Sequence, residues 1–344
     1  MNRKITLLSL KCLALIGFTQ VLSAQQIYTN GPLSTGATSA SGVAAPSGYT
    51  WSEIQSETGN TTESNTSIGY SAYYLADGST SFAIADDFVV PTGEIWNVSS
   101  FDFFIYQTNY AGVTPPIDEL RVQVYNGNPS AGGTVYAGNL TANVFDAANS
   151  IDASIYRTGN SVTPVPGTVP GTARKLWKVR GTLTTDLPAG TYWVVFQGHA
   201  TNNAAFFSPP VTVTGFRGLP EWNGQQLTVP TAAWSNLNDT GNPAAAPDFP
   251  QAMAFIVNGG VLGINQNEIM ALNATPNPVR DVLNLSSSND ITSVEIFNML
   301  GQQVLVKTIN AAQSQVDMSQ LNSGTYMVKV LSDKQQKTIK VVKE

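Results

Sequence analysis

The chain has 344 residues, a length typical of two or three domains, and only 12% of them are charged, well below the roughly 25% of an average soluble protein. Its net charge is −6, and no Lys or Arg lies between Lys11 and Arg121. Low charge with many Gly, Pro and β-branched residues is typical of extracellular β proteins. The acidic N-terminal half argues against a nucleic-acid partner, which would require a basic surface.

Residues 1–24 have the pattern of a secretory signal peptide. A basic start is followed by a short apolar stretch at 13–22 and a small-residue cleavage site at Ser23-Ala24. The stretch is too short to span a membrane, which takes about 20 apolar residues, and no later segment is long enough. We therefore expect an exported protein that is not integral to a membrane. Cys12 is the only cysteine, so disulfides and thiolate metal sites are not expected after cleavage.

Residues 25–80 are rich in Ser, Thr, Gly and Asn, which predicts an irregular leader with one or two short strands packed on the next domain. From residue 81 onward, apolar and polar residues alternate as in half-buried strands. Strands are predicted at 82–90, 94–107, 120–125, 134–140, 151–156, 176–181, 191–198, 211–216 and 253–257. No convincing amphipathic helix interrupts them. We predict an all-β fold in which 81–258 form a jelly-roll-like β-sandwich, with the proline-rich loop 164–171 crossing between its sheets.

The C-terminal part has its own set of motifs. A Gly-containing linker is predicted at 259–271, and residues 272–344 then open on Thr275-Pro276-Asn277-Pro278. Alternating strands follow at 282–285, 294–297 and 326–330, with a turn at Gly301 and the motif Gly324-Thr325-Tyr326. As a set, these motifs closely resemble the type A C-terminal sorting domain of the type IX (Por) secretion system.

This resemblance implies a small Ig-like β-sandwich that is recognised by the type IX translocon and sorting machinery in a bacterium of the Bacteroidetes type. Such domains are usually removed as the cargo is attached to surface lipopolysaccharide or released, which implies a location on the outer face of the outer membrane or outside the cell. The positions that match the family's motifs, and that the resemblance makes sorting-signal residues, are Pro276, Asn277, Pro278, Gly301, Gly324 and Tyr326. Thr275 departs from the aromatic or aliphatic residue often found before Pro-Asn-Pro. The alternative is a stabilising Ig-like repeat without a sorting role.

The middle of the chain carries a weaker resemblance. The segments 85–91, 187–194 and 254–259 are similar to the first, later and final strands of a β-sandwich domain found in secreted, surface-anchored bacterial proteins. The resemblance covers roughly 82–259. It implies a fold and a location only, because that family offers no catalytic residues to carry over.

Asp86 and Asp87 stand out within the predicted strand 82–90. The alternation of side chains along the strand places Asp86 on the apolar face. A charge there is costly unless it is paired, coordinated or turned away from the apolar face by a bulge. One interpretation is a calcium site in which Asp86 or Asp87 is joined by carbonyl oxygens and by Asp102 or Asp118, since calcium prefers hard oxygen ligands. The alternative is an aspartate that is hydrogen-bonded to backbone amides at a bulge. No other cofactor is expected.

An aromatic face is predicted on the strand 94–107. Trp96, Phe104 and Tyr106 fall on one side in strict alternation, whereas Ile95, Phe101, Phe103 and Ile105 fall on the other. The first set is either buried beneath other elements or exposed as a platform on which sugar rings could stack. Burial is the commoner fate of large aromatic side chains.

Catalytic signatures are weak in this sequence. His199 is the only histidine, and neither a metal-ligand cluster nor a Gly-x-Ser-x-Gly motif accompanies it. We therefore predict a non-catalytic surface binding or adhesion module, with glycans as candidate ligands. The alternatives are an extracellular hydrolase, which would need two facing carboxylates in a cleft, and a purely structural surface component.

Overall fold

A computed structural model describes residues 25–159, 163–229, 231–262, 272–332 and 335–344. The predicted signal peptide, with Cys12, lies outside these residues. Within them the protein is all-β, as predicted, and the only helix is a 3₁₀ turn at Pro129–Ala131. The described part of the chain contains no helix that is long and apolar enough to cross a membrane.

The described residues before 263 form fourteen strands. They are β1 (Gln25–Asn30), β2 (Thr50–Glu53), β3 (Tyr70–Ser71), β4 (Ser81–Ile105), β5 (Ile117–Asn126), β6 (Thr134–Asn139), β7 (Phe145–Thr158), β8 (Lys175–Ala200), β9 (Phe207–Ser208), β10 (Gln225–Val229), β11 (Ala233–Asn236), β12 (Asn238–Asp239), β13 (Phe249–Pro250) and β14 (Phe255–Val261).

Two very long strands, β4 and β8, organise this part of the fold. They pair antiparallel from Ile84–Phe196 to Val90–Gly190, and after a register shift they pair again from Ile95–Pro188 to Ile105–Trp177. Ten of these strands belong to one hydrogen-bonded sheet, and the halves of β4 and β8 on either side of the shift lie in two different layers of it, here called sheet I and sheet II. Sheet I has the order β11-β10-β4-β8-β5-β6 and uses the first half of β4, whereas sheet II has the order β1-β14-β4-β8-β7-β2 and uses the second half.

The two sheets face each other across one hydrophobic core. Phe103 of sheet II stacks on Phe196 of sheet I with ring centroids 4.1 Å apart, and Phe88 of sheet I packs edge-on against Phe255 of sheet II at 5.9 Å. All four rings are almost completely buried. This arrangement confirms the predicted sandwich, because inward-facing side chains of both sheets fill a single interior.

Several strand predictions are confirmed in detail, and others need correction. Leu120, Val122 and Val124 are buried on β5 as their alternation predicted. The predicted strand 211–216 is a loop. The proline-rich loop 164–171 does not cross between sheets, because it joins β7 to β8 and these strands pair with each other in sheet II. The predicted linker begins too early, since β14 extends through Gly259 and Gly260 to Val261.

The leader is more regular than its composition suggests. Residues 25–80 contribute β1, β2 and β3 rather than one or two short strands. β1 pairs antiparallel with β14, and β2 pairs parallel with β7, so the leader supplies both edges of sheet II.

The C-terminal part forms a sheet and a core of its own. Its strands are β15 (Asn273–Thr275), β16 (Val282–Asn298), β17 (Gln303–Asp317), β18 (Gly324–Ser332) and β19 (Gln335–Lys343), in the order β15-β16-β18-β19 with β17 paired to β16. Side chains such as Leu283, Ile296 and Val328 are fully buried together. The predicted strands 282–285 and 294–297 are the two ends of the single long strand β16.

Candidate functional site

A cavity of about 320 Å³ opens along the edge of β4 at Asp86 and Asp87. β10 pairs with β4 only as far as Ala85, and β14 pairs with the same edge only from Trp96 onward, so in the described part of the chain no strand covers this edge at Asp86 and Asp87. The segment that leads into β10 passes over this edge instead. The lining residues are Tyr28, Asn30, Asp86, Asp87, Phe88, Val89, Glu221, Trp222, Asn223 and Ala252.

Asp86 forms the buried wall of the cavity. Its side chain points inward with Phe88, and the residue is only 3% exposed. Its Oδ2 atom accepts hydrogen bonds from the backbone N–H of Met253 at 2.5 Å and from Asn30 Nδ2 at 3.1 Å, while its Oδ1 atom accepts from the N–H of Asp87 at 2.8 Å. These bonds to backbone amides match the alternative to calcium coordination that the sequence left open.

Burial dominates the electrostatics of this carboxyl group. Loss of hydration raises the pKa of Asp86 to about 7, although the amides of Met253 and Asp87 act in the opposite direction. The pKa of Asp87 is also raised by burial, and a hydrogen bond from Asn223 partly opposes that shift. The cavity therefore places two carboxyl groups with raised pKa values side by side.

Tyr28 supplies an aromatic wall from the leader. Its ring packs against Phe88 and Trp96 with centroid distances of 5.9 and 6.0 Å, and its hydroxyl donates to Asn30 Oδ1 at 3.3 Å. Burial and the neighbouring charges of Asp86 and Asp87 raise the pKa of Tyr28 to about 12, so the hydroxyl remains a hydrogen-bond donor at neutral pH.

The mouth of the cavity is formed by the loop residues Glu221, Trp222 and Asn223. Trp222 is half-buried, and Glu221 and Asn223 are exposed. The site thus combines carboxylate and amide groups with three aromatic rings, those of Tyr28, Phe88 and Trp222, which is the usual composition of a site that fixes the orientation of a small polar ligand.

The sequence did not identify Tyr28, Glu221 or Trp222 as site residues. They lie on segments far from Asp86 in the chain, and only the pairing of β1 with β14 and of β10 with β4 brings them together. The available signal was local, because Trp222 is flanked by the polar residues Glu221 and Asn223 in a stretch where no strand was predicted.

The four aspartates proposed for calcium do not meet at one point. Asp102 accepts a bidentate pair of hydrogen bonds from Arg180, at 2.6 and 2.8 Å, and lies 3.7 Å from Lys178 Nζ. Asp118 is paired with His199. Among the described residues no group of three or more His, Cys, Asp or Glu side chains could hold a metal ion. Adding Asp102 and Asp118 to the site was wrong, and calcium at Asp86 and Asp87 alone stays a prediction.

The predicted aromatic platform also needs correction. A bulge between Val98 and Ser100 shifts the alternation of β4, so Trp96 turns into the sandwich core beside Phe101 and Phe103. Phe104 and Tyr106 lie on the opposite face of the strand, in a second cluster with Leu33, Val211 and Ala252. Trp96 and Tyr106 are only 4% and 3% exposed, so this strand presents no flat aromatic surface to a ligand.

The predicted sorting residues serve the fold of the C-terminal domain. Asn277 Nδ2 donates to the carbonyl of Lys340 at 3.0 Å, and its Oδ1 accepts from the N–H of Val342 at 2.9 Å. Tyr326 is buried and donates to the carbonyl of Asn322 at 2.8 Å. Gly301 has a φ of +79°, which favours glycine at this turn.

The remaining sorting-motif positions lie at the ends of this domain's strands. Gly324 begins β18 opposite Lys343 of β19, and Pro276 and Pro278 are exposed on either side of Asn277.

Comparison with known proteins gives one informative match. Residues 273–344 match the family model of the secretion system C-terminal sorting domain. No curated protein matches the chain. A solved structure of the BSP domain of a biofilm-associated protein is similar to 84% of this chain, at 10% identity and a TM-score of 0.21. The chain spans about half of that structure (53%), and so low a TM-score supports no inference about fold or function.

Proposed function

We propose that this chain, which ends in a secretion system C-terminal sorting domain, is exported by the type IX secretion system to the outer face of the outer membrane. There the sandwich acts as a non-catalytic binding module. The match of residues 273–344 supports the export route. The translocon and its sorting machinery are the corresponding partners.

The ligand site of the sandwich is the cavity at Asp86 and Asp87, and carbohydrate is the ligand class that suits it best. The observation that carries this proposal is that Tyr28 and Trp222 share one cavity with Asp87, Glu221 and Asn223. Aromatic rings pack against the C–H faces of sugars. Carboxylate groups accept hydrogen bonds from sugar hydroxyl groups, and side-chain amides both accept hydrogen bonds from them and donate to them. A volume of about 320 Å³ lies within the range of small-ligand sites.

A glycan-array screen of the full chain tests this proposal. We expect selective binding that falls by about tenfold or more, equivalent to ~1.4 kcal/mol, in Trp222→Ala and in Asp87→Asn. Trp234→Ala is the matched control, because Trp234 is half-buried on β11 and does not line the cavity. Retention of full affinity in both cavity variants would place the ligand elsewhere.

Hydrolysis is the second candidate function, and a specific observation favours it. Asp86, with a pKa of about 7, lies in the same cavity as Asp87 and Glu221, and glycosidases pair a protonated carboxylic acid with an ionised one. Binding remains the stronger proposal because both oxygens of Asp86 accept hydrogen bonds from the protein. New reducing ends that appear with the wild type but not with Glu221→Gln would favour hydrolysis.

A further inference from the structure

A polar cluster around His199 lies at one end of sheet I, apart from the cavity residues. His199 lies one residue before the end of β8, and Asp118 and Glu119 project from the neighbouring strand β5. Asn203 follows in the turn after β8, and Tyr74 precedes β4, with its ring centroid 5.3 Å from that of His199. Three separate segments of the chain therefore meet at one imidazole.

Both ring nitrogens of His199 face oxygen atoms. Nδ1 lies 2.7 Å from Asp118 Oδ1, and Nε2 lies 3.0 Å from Asn203 Oδ1. A neutral imidazole has only one N–H, so one of its nitrogens would direct a lone pair at an oxygen. Only the doubly protonated ring donates a hydrogen bond to both partners.

The orientation of the Asn203 amide is fixed by a third group. Its Oδ1 atom also accepts a hydrogen bond from the backbone N–H of Ala76 at 3.0 Å. Rotating the amide to offer its NH₂ group to His199 would set that NH₂ group against the N–H of Ala76. The amide oxygen therefore has to face the ring, and this removes the usual ambiguity between the two ends of an asparagine side chain.

We propose that protonated His199 is a pH-sensitive latch, which ties the end of β8 to β5 through Asp118 and to the 74–80 segment through Asn203 and Ala76. The latch is closed when the ring carries two protons. Loss of either proton removes one of the two hydrogen bonds and sets two acceptors against each other.

The charges around the ring favour the closed state. Partial burial by itself would lower the pKa of His199, but the hydrogen bonds to Asp118 and Asn203 and the negative charges of Asp118 and Glu119 outweigh it, so the pKa is raised above 6.5. Arg121 is the cation of the cluster. It pairs with Glu119 at 3.2 Å, and its guanidinium carbon lies 3.8 Å from the centre of the Tyr74 ring.

The sign of the pH effect follows from the direction of this shift. Because the folded-state pKa lies above the unfolded value, the stabilisation is fully present below about pH 6.5. It is lost as the pH rises through the raised pKa. The latch is therefore closed at pH values below the raised pKa of His199 and opens at pH values above it.

The turn that the latch holds also forms the wall of a second cavity. Asn203 has a left-handed backbone with φ of +51°, which its two contacts help to maintain. The preceding residue, Asn202, forms a reciprocal pair of amide hydrogen bonds with Gln107 at 3.0 and 3.1 Å, and both residues line a cavity of about 480 Å³. Opening the latch thus loosens one side of this cavity.

NMR of the full chain labelled with [¹³C]histidine tests the latch directly, because the only histidine in the sequence is His199. We expect the ring signal to titrate with a midpoint above 6.5, and Asp118→Asn to lower that midpoint by about one unit or more. Asn203→Gly removes the amide while keeping a residue that tolerates positive φ, and it too should lower the midpoint.

Hydrogen exchange supplies a second readout that is specific to the latch. The amides of Ala76 and of residues 202–204 should exchange more slowly below the titration midpoint than above it. Ser154→Gly is the matched control, since Ser154 also has a positive φ (56°) and lies on β7, away from this cavity. A midpoint at or below 6.5, or exchange at Ala76 that is the same on both sides of the midpoint, would overturn the proposal.

Discussion

For Asp86, the sequence correctly predicted that the side chain is buried, but it left open whether the carboxyl group binds a metal ion or the backbone. Alternation along its strand placed the carboxyl group on the apolar face, and the side chain is buried there. Whether such a group is coordinated by a metal ion or hydrogen-bonded to the backbone depends on Met253, which is 167 positions away in the chain. The structure supplies hydrogen-bond donors for both carboxylate oxygens.

The raised pKa of Asp86 predicts a specific dependence of stability on pH. Between pH 3.8 and about 7 the folded state binds a proton that the unfolded state has released, so this group adds stability as the pH falls through that window. The effect amounts to at most about 4 kcal/mol. Urea unfolding at pH 5 and pH 8, monitored by tryptophan fluorescence, should show the part of this gain that lies above pH 5 in the wild type, roughly 2–3 kcal/mol.

Asp86→Asn should remove that part of the pH dependence, because the amide does not titrate. Asp186→Asn is the control, since Asp186 is an exposed residue whose carboxylate accepts a hydrogen bond from Asn97. If the wild type and Asp86→Asn show the same difference between pH 5 and pH 8, the pKa of Asp86 is not raised.

At the scale of elements, β-bulges decide which side chains face the core. Trp96 and Phe101 are separated by an odd number of positions, so strict alternation would place them on opposite faces of β4. The bulge between Val98 and Ser100 places both of them on the interior side. On β14, which pairs with this part of β4, the register shifts between Asn258 and Gly259. Strict period-two reasoning fails across such a shift because one inserted residue reverses every later side chain.

Gly259 is a point where this geometry excludes a side chain. A Cβ atom there would lie 2.1 Å from the carbonyl oxygen of Asn97, whereas a Cβ at the next residue, Gly260, would meet nothing within 4 Å. We expect Gly259→Ala to destabilise the sandwich by roughly 1–3 kcal/mol or more. Gly260→Ala, its matched control, should change stability by less than about 1 kcal/mol.

Chemical unfolding followed by tryptophan fluorescence measures this difference in the sandwich alone. All six tryptophans precede residue 235, so none reports on the C-terminal domain. Equal unfolding midpoints for the two glycine variants would show that β14 and β4 can separate at Asn97 without cost.

At the scale of the whole molecule, the chain builds two separate hydrophobic cores. Among the described residues, the core of the sandwich contains none beyond Val257, and the core of the C-terminal domain begins at Leu272. The leader belongs to the first of these units. The buried guanidinium group of Arg157 donates to the carbonyls of Ser67 and Ile68 and to the hydroxyls of Ser52 and Thr212.

Truncation after residue 262 separates folding from sorting. We expect the shortened protein to keep the unfolding midpoint of the full chain by tryptophan fluorescence, because its core is complete. In the native host it should remain in the periplasm instead of reaching the cell surface, as measured by surface proteolysis of intact cells with the full chain as control. Surface display of the truncated protein would contradict the sorting role of 272–344.

The sequence by itself determined the all-β class, the position of most long strands of the sandwich, the burial of Asp86 and the sorting domain. Each of these depends on local signals, namely alternation, turn residues and a compact set of motifs over 273–344. Only the tertiary structure decided that Trp96 and Tyr106 are buried, that Asp102 and Asp118 pair with Arg180 and His199, and that Trp222 meets Asp87 in one cavity. The physical reason is that bulges reverse side-chain faces and strand pairing joins distant segments, and neither leaves a mark in local composition.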